Sequence, residues 1–228
     1  MTSQARTRVG GNAAGTVTPS SHPHLFYALG VVGIAGCVIV VLANIVGVIV
    51  QPRDGLVADT ISDLAAGRYA VIMDIGLYAF AAGILAAAAG LRRLRWGGWE
   101  WTAGSWLLTL MSILLVVIGA HNEYGDNDPG GFVIHMPLVV TMALVFTASA
   151  LLTAAGFHER RRHWFWFNVA CAVLWVIGAA VFWFTPTGFD GLTERLVGMV
   201  LVVWLFALSK LLIDVSKGER TRLPVLGQ

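Results

Sequence analysis

Of 228 residues, 57% are hydrophobic and only 12% charged, and the mean hydropathy is +0.75; soluble domains carry about 25% charged residues, so an ordinary soluble fold is excluded. A net charge of +2 implies no general nucleic-acid surface. The two cysteines, Cys37 and Cys171, both sit in apolar runs, so they read as small buried residues rather than as a disulfide framework or a metal motif.

Residues 1–24 are polar and contain Arg6 and Arg8. The apolar run that follows is too long for the core of a cleavable signal, so residues 1–24 are expected to be a disordered cytoplasmic tail leading into a signal-anchor helix. Six runs can cross about 30 Å of hydrocarbon at about 1.5 Å per residue. They are Phe26–Val50, Ala70–Leu91, Thr102–Ala120, Phe132–Ala154, Trp164–Phe184 and Thr193–Ile213. A helix satisfies its own backbone polar groups, as lipid demands. The expected fold is therefore all-α: a polytopic bundle of six transmembrane helices over residues 25–214, with antiparallel neighbours, followed by a C-terminal tail over 215–228.

Charge placement sets the expected orientation. Arg6 and Arg8 precede the first span, Arg92, Arg93 and Arg95 separate the second and third, Arg160–Arg162 separate the fourth and fifth, and Lys217, Arg220 and Arg222 follow the sixth. The alternate connections are acidic, with Asp54, Asp59 and Asp63, then Glu123, Asp126 and Asp128, then Asp190 and Glu194. The positive-inside rule puts both termini in the cytoplasm. Trp96, Trp99, Trp101, Trp106, Trp164 and Trp166 lie near the arginine-rich ends and Trp183 near the acidic ends, as an interfacial aromatic belt requires. Lys210 and Asp214, four apart, suit a helical ion pair.

Small residues recur on one side of the first two spans: Gly30, Gly33 and Gly36, then Gly76, Ala79, Gly83, Ala87 and Gly90. Such rows let helix backbones approach closely. They suit packing within the bundle, with the second span central, and also suit a homodimer face.

The acidic ends hold the residues with chemistry. In Asp59-Thr60-Ile61-Ser62-Asp63-Leu64, Thr60 and Asp63 fit a capping box for a short helix leading into the second span. The same spacing puts Asp59 and Asp63 on one helical face, ready for a cation or an arginine. Asp74 lies inside the second span, where a carboxylate is costly in lipid, so it should face the bundle with Arg68, Arg195 or His135 as partner. Asn44 of the first span reaches the same layer.

The most polar stretch between spans runs from His121 to His135, and Pro129, Gly130 and Gly131 impose a turn on it. His121 and Glu123 close the third span, and His135 is expected one turn into the fourth. Two imidazoles and a carboxylate are the ligand set of a hydrolytic zinc site that keeps a position open for water, which makes His121, Glu123 and His135 candidate metal ligands. The segment has no H-E-x-x-H or C-x-x-C motif, and a histidine at a membrane interface equally serves to hydrogen-bond a neighbouring loop. Gly191-Leu192-Thr193-Glu194-Arg195-Leu196 opens the sixth span. Thr187 and Asp190 can cap it, and Glu194 and Arg195 can pair with Asp63 or Asp74. Asp59, Asp63, Asp74, His121, Glu123, His135, Glu194 and Arg195 are thus the candidate ligand-binding residues of a shallow outward-facing polar pocket. Three spans begin there, and their positive dipole ends favour carboxylates or an anionic headgroup.

Thr60-Ile61-Ser62-Asp63-Leu64-Ala65-Ala66-Gly67, Asp74, His135 and Gly191–Leu196 together resemble the prokaryotic membrane proteins grouped as domain of unknown function 998, from about Phe26 to Ile213. The resemblance implies a six-helix bundle with its polar motifs on one side and implies no substrate; the arginine-bearing N-terminal tail is outside the pattern. Three functional readings follow. One is a non-catalytic membrane protein: an accessory subunit or interaction partner in a membrane complex or homodimer, or a lipid- or small-ligand-binding protein. Another is a metal-dependent, membrane-embedded hydrolase acting on lipid at the outer leaflet, an analogy of architecture only. A transporter is the third, and the lone intramembrane carboxylate offers little of a pathway. The sequence specifies no cofactor and no catalytic residue.

Overall fold

The computed structural model describes residues 23–51, 55–66, 68–121, 134–159 and 161–218. These form α1 (Pro23–Val50), α2 (Ile61–Ala66), α3 (Ala70–Leu94), α4 (Trp99–Ala120), α5 (His135–Phe157), α6 (Arg162–Trp183) and α7 (Asp190–Ser216), with no strand among the described residues. All but α2 are long and apolar enough to cross a membrane, so the chain is an all-α multi-pass membrane protein. Each expected span falls on one of these six helices, and α2 is the short helix expected from the capping box.

One boundary differs in a way that matters for the site. His135 is the first residue of α5, with Ile134 as its N-cap, and so lies at the helix mouth rather than one turn inside. Pro137 explains this start, because a residue without an N–H fits the first helical turn, where N–H groups have no intrahelical acceptor. The expected start at Phe132 lies outside the described residues.

The spanning helices form a ring in chain order: α1 packs on α3, then α3 on α4, α4 on α5, α5 on α6, α6 on α7, and α7 returns to α1. Small residues make the α1–α3–α7 corner possible. A Cβ on Gly36 would stand 2.6 Å from the Ala79 carbonyl oxygen, and one on Gly76 would stand 2.6 Å from the Ala43 Cβ. The rows of glycine and alanine are thus used for packing inside the bundle. The middle of the ring is solid. Phe146 stands edge-on to Trp175 at 4.9 Å and to Trp204 at 5.1 Å between centroids, and Ile84, Met111, Leu205 and Leu208 are fully buried around them.

Few polar groups enter this core; three of them are partnered across helices, whereas the Trp175 indole N–H is buried without a partner among the described residues. The Trp204 indole N–H donates to Asn168 Oδ1 at 2.7 Å, Ser112 donates to the Ala81 carbonyl at 2.8 Å, and Ser149 to the Gly104 carbonyl at 3.0 Å. With no water to compete, such bonds fix helix register.

At the arginine-rich end Trp99, Trp106 and Trp166 are 76, 59 and 55% exposed, as an aromatic belt demands. Trp101 departs from that expectation. Two residues from Trp99 is about 200° around the helix, so Trp101 turns inward, donates its indole N–H to the Leu91 carbonyl at 2.7 Å and packs edge-on to Phe157. Lys210 and Asp214 form the expected ion pair at 2.7 Å. Arg161, between α5 and α6, lies over the Trp96 ring at 4.7 Å. Burial draws its pKa below the usual arginine range, against the opposing pull of Asp214.

Candidate functional site

The acidic end is built around α2. Thr60 and Asp63 close a reciprocal capping box: the Asp63 N–H donates to Thr60 Oγ1 at 3.0 Å, and the Thr60 N–H donates to Asp63 Oδ2 at 2.9 Å. This satisfies two backbone donors that a helix start otherwise leaves open. A third is met from α7, where Glu194 Oε2 accepts the Ile61 N–H at 2.5 Å. Asp59 is buried and accepts the Gly55 N–H at 3.2 Å, which closes the turn before α2. Leu64, 2% exposed, seats the helix on Met73 and Ala43.

Arg195, one turn into α7, fastens this segment to the bundle. Its Nε–H donates to Asn44 Oδ1 on α1 at 3.0 Å, and its Nη1 donates to the carbonyls of Leu56 at 3.0 Å, Gly191 at 2.9 Å and Asp59. The Leu192 N–H donates to the Val57 carbonyl at 2.9 Å. A Cβ on Gly191 would run into the Asp59 carbonyl, so only glycine lets α7 begin this close to the α1–α2 connection. The guanidinium therefore serves the turn carbonyls of Leu56 and Asp59, which have no helical partner, and a carbonyl of the first turn of α7. Among the described residues, Arg195 Nη2, Asn44 Nδ2 and Gln51 Oε1 are buried without a hydrogen-bond partner, so this polar layer is tightly closed.

The histidines behave differently from one another. His121 Nδ1 lies 3.2 Å from the Val117 carbonyl of its own helix, and its side chain is exposed. His135 is buried; its Nδ1 meets the His121 carbonyl at 3.3 Å and its Nε2 meets Ser62 Oγ at 3.3 Å. A carbonyl only accepts, so Nδ1 carries the proton, and in the neutral ring Nε2 accepts from the Ser62 hydroxyl. His135 thereby ties α2, the end of α4 and the start of α5 together.

Asp74 has no hydrogen bond or ion pair among the described residues. Its expected partners are elsewhere: Arg68 lies over the Tyr69 ring at 5.6 Å, Arg195 holds carbonyls, and His135 holds Ser62. Asp74 is half-buried near Tyr78, whose ring packs against Gly119 of α4. Glu123 lies outside the described residues. Among those described, no group of three or more His, Cys, Asp and Glu side chains is placed to hold a metal ion.

Asp59, Asp63, Glu194 and Arg195 are thus brought together around α2, with His135 joined to its first turn through Ser62. The carbonyls of Leu56 and Asp59 escape sequence reasoning because a backbone acceptor has no residue-type signal; Ser62, and Gln51, which donates its Nε2–H to the Asp63 carbonyl at 3.5 Å, escape it because their partners lie on other segments. Comparison with curated proteins and with solved structures finds no match. The family model for the protein of unknown function DUF998 matches residues 11–210, and the chain belongs to that family.

Proposed function

We propose that this is a non-catalytic integral membrane protein of the bacterial inner membrane, with both termini in the cytoplasm, that acts as an accessory or interaction protein. In this reading the turn and α2 form a fixed cap on the outward face, and that cap is offered to another membrane component. The observation that carries it is the set of hydrogen bonds from Arg195 to Asn44, to the turn carbonyls of Leu56 and Asp59, and to the Gly191 carbonyl of α7. A guanidinium so engaged is a fastening rather than a reactive group. The segment it fastens presents apolar side chains: Leu56 and Val57 are 48 and 40% exposed, beside Leu192 and Phe189 at 37 and 59%. The solid aromatic middle of the ring supports a binding role over transport. The alternation of arginine-rich and acidic connections supports the orientation.

The test is a photoreactive residue at Leu56 or Phe189, activated in intact cells. A discrete adduct supports the reading, and one of twice the chain mass identifies a second copy as the partner. Elemental analysis of the detergent-purified protein tests the hydrolase alternative. About one zinc per chain, lost in His135→Ala, would overturn the accessory reading in favour of a metal-dependent lipid hydrolase built on His121, Glu123 and His135.

A further inference from the structure

A cavity of about 560 Å³ opens at the arginine-rich end, between the α3–α4 and α5–α6 turns. Pockets of about 300–1,000 Å³ take small ligands. Its floor is rigid. A Cβ on Gly97 would stand 2.8 Å from Trp101 Cβ and 2.9 Å from Gly156 Cα, so the α3–α4 turn meets the last turn of α5 backbone to backbone over a buried indole. Its rim carries both signs of charge, Arg95 against Glu100 and Glu159, with the His158 imidazole beside them. Glu100 Oε1 accepts the Gly98 N–H at 2.9 Å; Arg95 and Glu159 make no hydrogen bond or ion pair among the described residues.

Arg95 is also the one non-glycine residue with positive φ among the described residues, at φ 47° and ψ 43°, where it ends α3. That position favours glycine, because a Cβ is strained there. Gly97 and Gly98 stand two and three residues on, yet an arginine occupies the strained position. A strained side chain at a cavity rim points to a use for that side chain.

Depth and charge then identify the occupant. Trp99, Trp106 and Trp166 are exposed around this end, which puts the cavity at headgroup level. The start of α4 already holds a carboxylate, since Glu100 accepts the Gly98 N–H, so the cationic side of the site falls to Arg95 with the His158 imidazole. The faces that could hold a quaternary ammonium are taken: Arg161 lies over Trp96, and His158 stands against Phe165 at 5.1 Å. We propose that this cavity binds the headgroup of an amine-bearing zwitterionic phospholipid, its phosphate at Arg95 and His158 and its primary ammonium at Glu100 and Glu159. Carboxylates distinguish a primary ammonium from choline because trimethylation removes every N–H donor.

Native mass spectrometry of the full chain, titrated separately with phosphatidylethanolamine, phosphatidylcholine and phosphatidylglycerol, tests this. The expected result is retention of phosphatidylethanolamine about tenfold better than of the other two, the difference that one charge-assisted hydrogen bond makes. Arg95→Gly should weaken that retention about tenfold while melting no lower than wild type, since glycine suits the backbone. Glu159→Gln should narrow the preference over phosphatidylcholine. Equal retention of all three lipids overturns the proposal, as does preference for phosphatidylglycerol, which would make the site one for anions alone. Unchanged retention in a folded Arg95→Gly variant overturns it as well.

Discussion

Arg195 of α7 donates its Nε–H to the side-chain carbonyl of Asn44 on α1 at 3.0 Å, and this bond joins the last spanning helix to the first. From the same guanidinium, Nη1 gathers the carbonyls of Leu56, Asp59 and Gly191. One side chain thus takes part in both ring closure and cap attachment, beside the close packing of Gly30 and Gly33 on Ser209 and the Leu192 and Glu194 bonds to the cap. Arg195→Ala leaves the Leu56 and Asp59 carbonyls without this donor, and each buried group so abandoned costs about 1–3 kcal/mol. A total loss of about 2–3 kcal/mol is expected, because Leu56 lies near water. Arg195→Lys should restore less than half, since an ammonium is a point donor and not a planar fork. Thermal unfolding in detergent measures both, and faster hydrogen exchange over residues 55–66 should accompany the loss.

The six residues of α2 are too few to hold a helix by propagation alone, so the capping groups should decide whether it forms. Asp63→Ala and Glu194→Ala should each cost about 1 kcal/mol and raise exchange at Ile61–Ala66 while leaving the middle of α7 protected. If exchange there stays at the wild-type rate in both variants, packing of Leu64 rather than capping maintains the helix.

Close approach of α1 and α3 leaves no room for side chains at Gly36 and Gly76. Gly36→Val and Gly76→Leu should each destabilise the bundle by about 1–3 kcal/mol through overpacking. Gly188 is the control, with nothing within 4 Å of a Cβ, and Gly188→Ala should be neutral. The comparison is read from the yield of monodisperse protein and its melting temperature.

Asn168 is fully buried and links α6 to α7 through the Trp204 indole. Asn168→Leu removes the acceptor and leaves that N–H unpaired in an apolar core. The expected cost is about 1–2 kcal/mol, with a blue shift in tryptophan emission as the indole loses its hydrogen bond.

Relief of the left-handed strain at Arg95 makes a prediction of the opposite sign. Arg95→Gly should raise stability by about 0.5–1 kcal/mol, the difference between the side-chain penalty at positive φ and glycine's greater freedom when unfolded. A lower melting temperature would mean that the arginine makes stabilising contacts with its surroundings.

Much of this protein is legible along the chain because the membrane imposes local rules. A span must be about twenty apolar residues, and its backbone must satisfy itself, so Phe26–Val50 or Thr193–Ile213 announce helices without reference to any other segment. Thr60 and Asp63 announce a cap for the same reason: both partners lie within one turn. The small-residue rows also identify α3 as a packing hub, because backbone approach needs small side chains on at least one surface.

What only the tertiary structure decides is the identity of partners distant in sequence. Arg195 and Asp74 have the residue types of an ion pair and the right depth, yet Arg195 finds turn carbonyls instead, since the α1–α2 connection folds over the start of α7. Trp101 reads as one more interfacial tryptophan, and helical phase alone turns it into the core. The cavity beside Arg95 forms because Gly97 and Gly156, 59 positions apart, touch. Local chemistry determines where each helix begins and how it sits in lipid; which polar groups meet depends on ring closure between α1 and α7, a contact between the two ends of the chain.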